Sequence, residues 1–354
     1  MTNEIKLGKR YIGKGHPCMI IAEISCNHLQ KKEIALKLID EAKKAGADAV
    51  KFQAYTPDTM TLNPDNLQEK EKKHFLIRGS IWENRTFYDL YKEAYTPWEW
   101  FDELKQKAEE LGLFFLVTPF DESSVDFLEK LNVSAYKIAS FEITHIPLIK
   151  KIAKTNKPVI FSAGIADLED IQLAIDTLKE DGNNQIIILK CTSAYPAPIE
   201  DTNLLTIQDM KSRFDVLVGL SDHTTNSKIP AYAVALGACI VEKHFTLEKK
   251  GPDAEFSLLP DEFSEMVRNI RECESAMRKD NYELSNKVKE HRAFRRSIFA
   301  SENIKAGEQF TEKNIRVIRP GMGLHPKHYE EIIGKKATQD IKIGEPIQIK
   351  MEEL

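Results

Sequence analysis

The sequence has little of what marks several common classes of protein. Lysine and arginine (50) are outnumbered by aspartate and glutamate (55), and this net charge of −5 argues against binding to nucleic acid. No apolar run approaches the roughly 20 residues that a membrane-spanning helix needs, and the basic N-terminus lacks the apolar stretch of a signal peptide. The five cysteines are scattered without a CxxC pair, which predicts free thiols. We therefore expect a cytoplasmic protein with no membrane partner.

What the sequence does have is a regular alternation of short apolar runs with amphipathic helical segments. The runs are residues 19–25, 48–53, 114–120, 134–140, 157–164, 186–193, 216–222 and 238–245. Eight such strands alternating with helices predict an α/β fold of the (β/α)8 type, a TIM barrel. An open doubly wound sheet is the alternative, but no GxGxxG follows the first run, which weakens a dinucleotide-binding version of it.

Two stretches depart from this alternation. The connection 54–97 is longer than an ordinary strand-to-helix loop and dense in aromatics, so we interpret it as a lid that shapes the substrate pocket. The alternative is a surface excursion whose aromatics fold back onto the barrel. Residues 281–292 are polar and predict a linker between a catalytic domain, 1–280, and a compact β-rich domain, 293–354, whose short strands are broken by KAGE and KIGE turns.

Histidines lie at the ends of the last two predicted strands. His223 lies just past VLVGLSD, and His244 lies near the end of ACIVEKHF. Parallel neighbouring strands joined by a helix release their C-terminal ends on the same side of the sheet, so the two imidazoles can converge. Two histidines with open positions suit a divalent metal such as manganese, magnesium or cobalt. Taken alone, two unrelated strand-end histidines explain the pair equally well.

Polar side chains also follow the other predicted strands. A hydrophilic ring on an otherwise apolar barrel is hard to explain by packing and indicates an active site. Lys51 and Lys137 can hold an anion as point charges, although an ion pair with a nearby carboxylate is the alternative for each. The short hydroxyl donors suited to phosphate or carboxylate oxygens are Thr118, Ser140, Ser162 and Ser221. The groups suited to sugar hydroxyls or proton transfer are Glu23, Gln53, Glu142, Tyr195 and Asp253.

Seven motifs follow one another along the chain: AEISCNH, VKFQAY, TPFD, YKIASFE, GLSDHT, EKHFT and GPDAEFS. Together and in this order, they resemble the sialic acid synthase family of phosphoenolpyruvate-dependent nonulosonic acid synthases. The C-terminal RRSIFA and RPGMG segments resemble the antifreeze-like (SAF) domain of that family. Within it, GSIWENRTFYDLYKEAYTPWEW and KIASFEIT are most similar to the branch that makes pseudaminic acid.

The resemblance implies a metal-dependent transferase that condenses phosphoenolpyruvate with 2,4-diacetamido-2,4,6-trideoxy-altrose and releases phosphate. The phosphoenolpyruvate ligands that it implies are Lys51, Thr118, Lys137, Ser140, Ser162, Ser221 and Ser193, which stands where the family typically has asparagine. The implied sugar ligands are Glu23, Gln53, Tyr195, Asp253 and Arg319. The implied catalytic residues are Glu142, Glu23, His223 and His244, the two histidines holding a metal, for which we expect Mn²⁺. The resemblance further implies a domain-swapped homodimer in which Arg319 reaches the partner's sugar.

Other functions remain open at this point. A legionaminic or N-acetylneuraminic acid synthase would use another N-acetylated sugar on the same site. A Schiff-base aldolase would use Lys51 or Lys137, and a sugar-binding protein would use the second domain without catalysis. For the pseudaminic branch, we expect Trp82, Tyr88 or Tyr91 to pack on the acetamido methyl groups of the sugar.

Overall fold

The chain forms two compact units, Met1–Arg278 and Lys279–Leu354. The structure, a computed structural model, describes residues 4–277 and 282–348. Each unit has an apolar core of its own. The predicted boundary between residues 280 and 281 lies outside the described residues.

A short antiparallel hairpin opens the first unit. Its strands are β1 Glu4–Leu7 and β2 Arg10–Gly13. Ile5, Leu7 and Ile12 are buried in one apolar cluster with the first residues of the barrel strands that follow, such as Met19 and Ile240. The hairpin therefore closes the N-terminal end of the barrel and leaves the opposite end for a site.

The next eight strands close into a parallel barrel, in which the last strand pairs with the first. Their bounds are β3 Met19–Glu23, β4 Ala49–Ala54, β5 Phe114–Pro119, β6 Tyr136–Ile138, β7 Val159–Ser162, β8 Ile186–Cys191, β9 Leu217–Asp222 and β10 Ile240–His244. Seven lie inside one of the eight apolar runs, and β4 extends one residue past its run, to Ala54. The predicted (β/α)8 barrel is confirmed, and the open doubly wound sheet is wrong because such a sheet would keep two unpaired edge strands.

Helices pack around the barrel and fill its long connection. Their bounds are α1 Lys32–Lys44, α2 Pro57–Met60, α3 Glu69–Lys72, α4 Phe87–Ala94, α5 Phe101–Glu110, α6 Glu122–Lys130, α7 Ile146–Ala153, α8 Leu168–Glu180, α9 Thr206–Phe214, α10 Ile229–Ala235 and α11 Pro260–Ala276. Two of them begin at ordinary N-caps: Asp121 and Asp167 accept the first free backbone N–H groups of α6 and α8. None of the helices in the described part of the chain is long and apolar enough to cross a membrane.

The connection between β4 and α5 has structure of its own. It carries α2, α3 and α4, and between α3 and α4 the backbone N–H of Ile77 donates to the carbonyl of Arg85 at 2.9 Å, beside a bridge between Leu76 and Thr86. We call residues 76–86 the insertion hairpin. Its side chains reach the C-terminal end of the barrel, where the predicted lid would have to lie.

The second unit is small and built on short extended pieces. The segment predicted as a linker, 281–292, is helical over α12 Asn286–Glu290 in its described part. Then β11 Ser297–Ala300 pairs antiparallel with β12 Ile315–Ile318, and α13 spans Tyr329–Ile332. A core that includes Ile298, Phe310 and Ile347 holds these pieces together.

Candidate active site

A cavity of about 510 Å³ lies at the C-terminal ends of the barrel strands. Its volume is typical of sites for small molecules. The structure brings most of the predicted site residues to its lining: Glu23, Lys51, Gln53, Lys137, Ser140, Glu142, Ser162, Tyr195, Ser221, His223, His244 and Asp253. Residues of the insertion line the same cavity from the other side. The ring of strand-end polar groups is therefore one continuous surface.

The floor of the cavity is a buried network of two lysines and two carboxylates. Lys51 Nζ lies 2.8 Å from Glu23 Oε2 and 3.7 Å from Glu242 Oε1, and it donates to Thr118 Oγ1 at 3.1 Å. Lys137 Nζ lies 3.9 Å from the same oxygen of Glu242. Both lysines are thus ion-paired with carboxylates, as the alternative to anion binding predicted for each of them. Their positions beside hydroxyl donors at the cavity surface still allow them to hold an incoming anion.

Burial and neighbouring charge set the protonation of this floor. Burial lowers the pKa of Lys137 from its usual range, with Glu242 opposing the shift. Although burial alone would raise it, the ammonium groups of Lys137 and Lys51 hold the pKa of Glu242 below its usual value. Burial raises the pKa of Glu23, and Lys51 opposes that shift. Glu242 is therefore the carboxylate that holds a charge between the two lysines.

Short hydroxyls and one glycine complete the floor around Lys137. Lys137 Nζ donates to Ser162 Oγ at 2.6 Å, and the backbone N–H of Gly164 donates to Ser140 Oγ at 3.0 Å. A Cβ on Gly164 would lie 2.2 Å from Ser193 Oγ and 2.9 Å from Ser140 Oγ. Only glycine therefore lets these hydroxyls converge. On the other side, Ser221 Oγ donates to Glu242 Oε1 at 3.3 Å.

The two predicted metal-type histidines meet beside this floor. The ring centroids of His223 and His244 are 5.3 Å apart. His223 Nδ1 lies 2.9 Å from the carbonyl of Thr192, so an N–H there would donate to that oxygen and leave Nε2 with a free lone pair. Burial lowers the pKa of His244 well below its usual value and keeps its imidazole neutral.

The donor set fits a divalent metal with open coordination positions. His244 Nδ1 is buried and finds no hydrogen-bond partner among the residues described, and it lies 3.9 Å from Asp253 Oδ2. In the β3–β10 register, His244 is directly opposite Glu23, whose carboxylate lies at the same end of the barrel. Residues 4–277 and 282–348 contain no group of three or more histidine, cysteine, aspartate or glutamate side chains in ligating positions. A divalent metal held here would therefore have two histidine nitrogens as protein ligands and solvent or substrate oxygens in the other positions.

Polar groups suited to a sugar lie next to the histidines. Gln53 Nε2 donates to Glu23 Oε1 at 2.8 Å and to Ser25 Oγ at 3.1 Å, and Ser25 donates in turn to Asp253. The ring of Tyr195 lies 4.4 Å from that of His223. This arrangement fixes an amide, a carboxylate and a phenol around one corner of the cavity, as recognition of a polyol requires.

Glu142 lies in a single 3₁₀ turn, Ser140–Glu142, directly after β6. Its Oε2 is buried without a hydrogen-bond partner in the described part of the chain. Burial raises the pKa of Glu142 from 4.5 to about 7, and the positive charge of Lys137 opposes the shift. A carboxyl group with this pKa can both donate and accept a proton near neutral pH.

This pKa makes stability depend on pH. Because the folded-state pKa is raised, the folded protein holds an extra proton between about pH 4.5 and about pH 7, so Glu142 lowers the free energy of unfolding progressively as the pH rises through that window. We expect Glu142→Gln to remove this pH dependence, which amounts to a change of roughly 1 to 3 kcal/mol in the free energy of unfolding across the window. Urea unfolding of both proteins at about pH 5 and about pH 8 measures it. An equal difference between the two proteins at both pH values would contradict the assignment.

One of the three aromatic residues predicted to contact the sugar does not line the cavity. The hydroxyl of Tyr88 lies 3.3 Å from Asp58 Oδ1, whereas Trp82 and Tyr91 line the cavity. Arg319 belongs to the second unit, as its position within the predicted domain 293–354 requires.

Other contributors were missed. Cys191, predicted only to be a free thiol, borders the cavity with its sulfur 3.8 Å from His223 Nδ1. Gly164, Ser25 and Phe256 were not identified either. For Gly164 there was a signal in the sequence: SAG lies at the end of β7, and a glycine following a strand often marks close approach of backbone to a ligand.

Comparison with known proteins places the chain in a family. The NeuB family model matches residues 38–282, and the SAF domain model matches residues 295–351. A pseudaminic acid synthase of Campylobacter jejuni is 46% identical over 93% of this chain and 95% of its own. An N,N'-diacetyllegionaminic acid synthase of Legionella pneumophila is 36% identical over 94% of each. The solved structure of N-acetylneuraminic acid synthetase from Leptospira borgpetersenii superposes with a TM-score of 0.70 and 33% identity, over 81% of this chain and 94% of that one. The chain therefore belongs to the NeuB family and carries a SAF domain after its barrel.

Proposed function

We propose that the chain condenses phosphoenolpyruvate with 2,4-diacetamido-2,4,6-trideoxy-altrose to give pseudaminic acid and phosphate. One observation carries the proposal: a cationic, hydroxyl-lined floor and a corner of sugar-type hydrogen-bonding groups meet in one cavity, on either side of two neighbouring histidines. The higher identity to the Campylobacter pseudaminic acid synthase than to the Legionella legionaminic acid synthase supports the choice of sugar.

The floor binds phosphoenolpyruvate. Lys51 and Lys137 neutralise its phosphate and carboxylate, and the hydroxyls of Thr118, Ser140, Ser162, Ser193 and Ser221 donate to the oxygens of these groups. Because Glu242 already lies between the lysines, the bound anion competes with a carboxylate. Competition of this kind favours a ligand with more negative charge than a single carboxylate, which a phosphate ester has.

The sugar corner brings the open-chain aldehyde to phosphoenolpyruvate. C3 of phosphoenolpyruvate forms a bond to the aldehyde carbon, water adds at C2, and the C–O bond to phosphate breaks. The sugar is oriented by Gln53, Tyr195, Asp253 and Glu23. Glu142 gives a proton to the aldehyde oxygen, which becomes the new hydroxyl, and takes a proton from the water that adds at C2. A divalent metal on His223 and His244, which we take to be Mn²⁺, would supply Lewis-acid polarisation of the aldehyde oxygen.

A Schiff-base aldolase is the competing enzyme class, and the lowered pKa of Lys137 is the one observation that favours it. The neighbouring Glu242 and Ser162 argue against it, because they keep the ammonium form paired. Borohydride treatment in the presence of a 2-keto acid decides between the two: a covalent adduct on Lys137 would support the aldolase.

Phosphate release from phosphoenolpyruvate tests the proposed reaction. The assay compares the 2,4-diacetamido-altrose sugar, its gluco and manno isomers, and N-acetylmannosamine, each with Mn²⁺ and with a chelator. Turnover confined to the first sugar would support the proposal. Turnover on N-acetylmannosamine or another isomer would keep the synthase reaction and overturn the choice of sugar.

We also propose that the protein works in the cytoplasm as a domain-swapped homodimer, in which the SAF domain of one subunit places Arg319 at the partner's sugar. Arg319→Ala should then raise the KM for the sugar about tenfold or more while leaving the KM for phosphoenolpyruvate nearly unchanged.

Mixing experiments test the exchange of subunits directly. His244→Ala damages a barrel, and Arg319→Ala damages a SAF domain. If Arg319 acts on the partner, unfolding and refolding the two variants together produces mixed dimers with one intact site, and activity returns above that of either variant alone. Activity that stays at the sum of the two would show that Arg319 acts within its own subunit or not at all.

A further inference from the structure

The insertion lines one side of the cavity mainly with apolar side chains. Six of them form what we call the apolar wall: Ile77, Trp82, Phe87, Leu90, Tyr91 and Ala94. Two polar residues of the insertion hairpin, Arg78 and Ser80, also line the cavity, and both are exposed. The opposite side of the same cavity carries the lysines, hydroxyls, carboxylates and histidines. A ligand that contacts the apolar wall therefore meets hydrogen-bonding groups on one side and mainly hydrocarbon on the other.

The polar atom of the largest residue in the wall is already engaged. Trp82 Nε1 donates to the carbonyl of Pro252 at 2.9 Å. Its ring centroid lies 5.6 Å from that of Tyr195 and 6.5 Å from that of Phe256. Both of these rings in turn contact the histidines, at 4.4 Å for Tyr195 to His223 and 4.8 Å for Phe256 to His244. Trp82 therefore offers only its ring face and edge to a ligand.

The wall is held in place before any ligand binds. The insertion hairpin is closed by its own backbone hydrogen bond, and Thr86 caps α4 by accepting from the N–H of Asp89 at 3.0 Å. In the helix that begins at this cap, Leu90 and Ala94 are the buried residues. The ring of Tyr91 packs edge-on against Tyr55, 5.6 Å away, just past the end of β4. A wall fixed in this way can discriminate between ligands rather than adapt to them.

We propose that the apolar wall is the element that selects the sugar, by binding methyl groups where other sugars carry hydroxyls. This inference rests on the proposed synthase function and names the chemical feature that the site reads: the methyl groups of N-acetyl substituents and of a 6-deoxy carbon. A methyl group against the wall leaves water for hydrocarbon, which is favourable. A hydroxyl in the same place loses its hydrogen bonds to water and gains none, so the wall rejects it.

Two variants test the wall by opposite changes. Trp82→Ala removes the largest apolar surface, and Ile77→Thr places a hydroxyl in the wall and removes the terminal methyl group of the side chain. Each is assayed by phosphate release with the 2,4-diacetamido-6-deoxy sugar and with N-acetylmannosamine, which keeps hydroxyls at C4 and C6. Where a sugar is not turned over, its Ki against the other sugar supplies the comparison.

We expect Trp82→Ala to lower kcat/KM for the diacetamido-deoxy sugar roughly tenfold or more, mainly through KM, and to change the value for N-acetylmannosamine much less. Ile77→Thr should lower kcat/KM for the diacetamido-deoxy sugar and raise it for N-acetylmannosamine, so that the ratio of the two values falls. The KM for phosphoenolpyruvate should be unchanged in both, because the floor is untouched.

Tyr88→Ala is the matched control, since Tyr88 belongs to the same insertion, on α4, but directs its hydroxyl to Asp58. In this variant, the ratio of kcat/KM for the two sugars should be the same as in the wild type. Equal losses for both sugars in the wall variants, or no loss in either, would overturn the inference. A wild-type enzyme that prefers N-acetylmannosamine would instead overturn the proposed function, so the two failures are distinguishable.

Discussion

His244→Ala is expected to lower metal-dependent turnover at least about 100-fold, because even residues that only support a metal ligand typically cost 10- to 100-fold when removed. The side chain is neutral by virtue of its burial, and its Nδ1 is free of hydrogen bonds to the described residues, which is the state that a metal-ligating imidazole requires. His223 is its neighbour at 5.3 Å between ring centroids. Removing one of two protein nitrogens would leave a site too weak to retain the metal.

A binding measurement separates this effect from general damage. The electron paramagnetic resonance signal of free Mn²⁺ falls as the ion binds, so a titration gives the affinity without any turnover. We expect the wild type to bind one Mn²⁺ per chain and His244→Ala to bind none in the same concentration range. His74→Ala, on the exposed surface of the insertion, is the control and should behave as the wild type. Wild-type affinity and turnover in His244→Ala would remove the metal assignment.

The sequence was sufficient for the barrel and for much of the site. Strands buried on both faces appear as continuous apolar runs, and eight of them between helices leave few alternatives. Because the C-terminal ends of parallel strands share one edge, residues as distant in sequence as Glu23 and His244 could be placed together without coordinates. The same rule brought Lys51 and Lys137 to one floor.

The remainder depends on contacts that no local pattern encodes. Ser25 donates to Asp253, which lies 228 residues away on a loop with no periodicity. Within α4, the phase that points Tyr91 into the cavity and leaves Tyr88 outside is set by packing against Tyr55 rather than by the polarity of either residue. Cys191 and Gly164 belong to the site only because Ser140, Ser193 and His223 converge on them.

A buried ion pair on the outer face of the barrel supports the two histidines, and the sequence did not reveal it. Lys243 Nζ lies 2.6 Å from Asp222 Oδ2, and both side chains are almost fully buried, at 0% and 2% exposure. The two residues are opposite each other in the β9–β10 register, and each directly precedes one of the histidines. Asp222 also accepts from the N–H and hydroxyl of Thr224, so the turn that carries His223 is fixed on both sides.

Lys243→Met should therefore lower the free energy of unfolding of the barrel by about 3 to 5 kcal/mol, because it leaves the carboxylate of Asp222 buried without its counter-ion. The double variant Lys243→Met/Asp222→Asn removes both charges and should recover most of that loss. Urea unfolding followed by tryptophan fluorescence is a suitable measurement, since the three tryptophans, at positions 82, 98 and 100, all belong to the barrel unit.

A second ion pair of equal length provides the control. Lys151 Nζ lies 2.6 Å from Asp126 Oδ2, but these side chains are 33% and 62% exposed. Lys151→Met should cost only about 0 to 1 kcal/mol, because water and mobile ions solvate the carboxylate that it leaves behind. Similar losses in Lys151→Met and Lys243→Met would mean that burial does not set the strength of these pairs. A double variant as unstable as Lys243→Met alone would show that packing of the lysine stem, rather than the unpaired charge, holds the strands that carry His223 and His244.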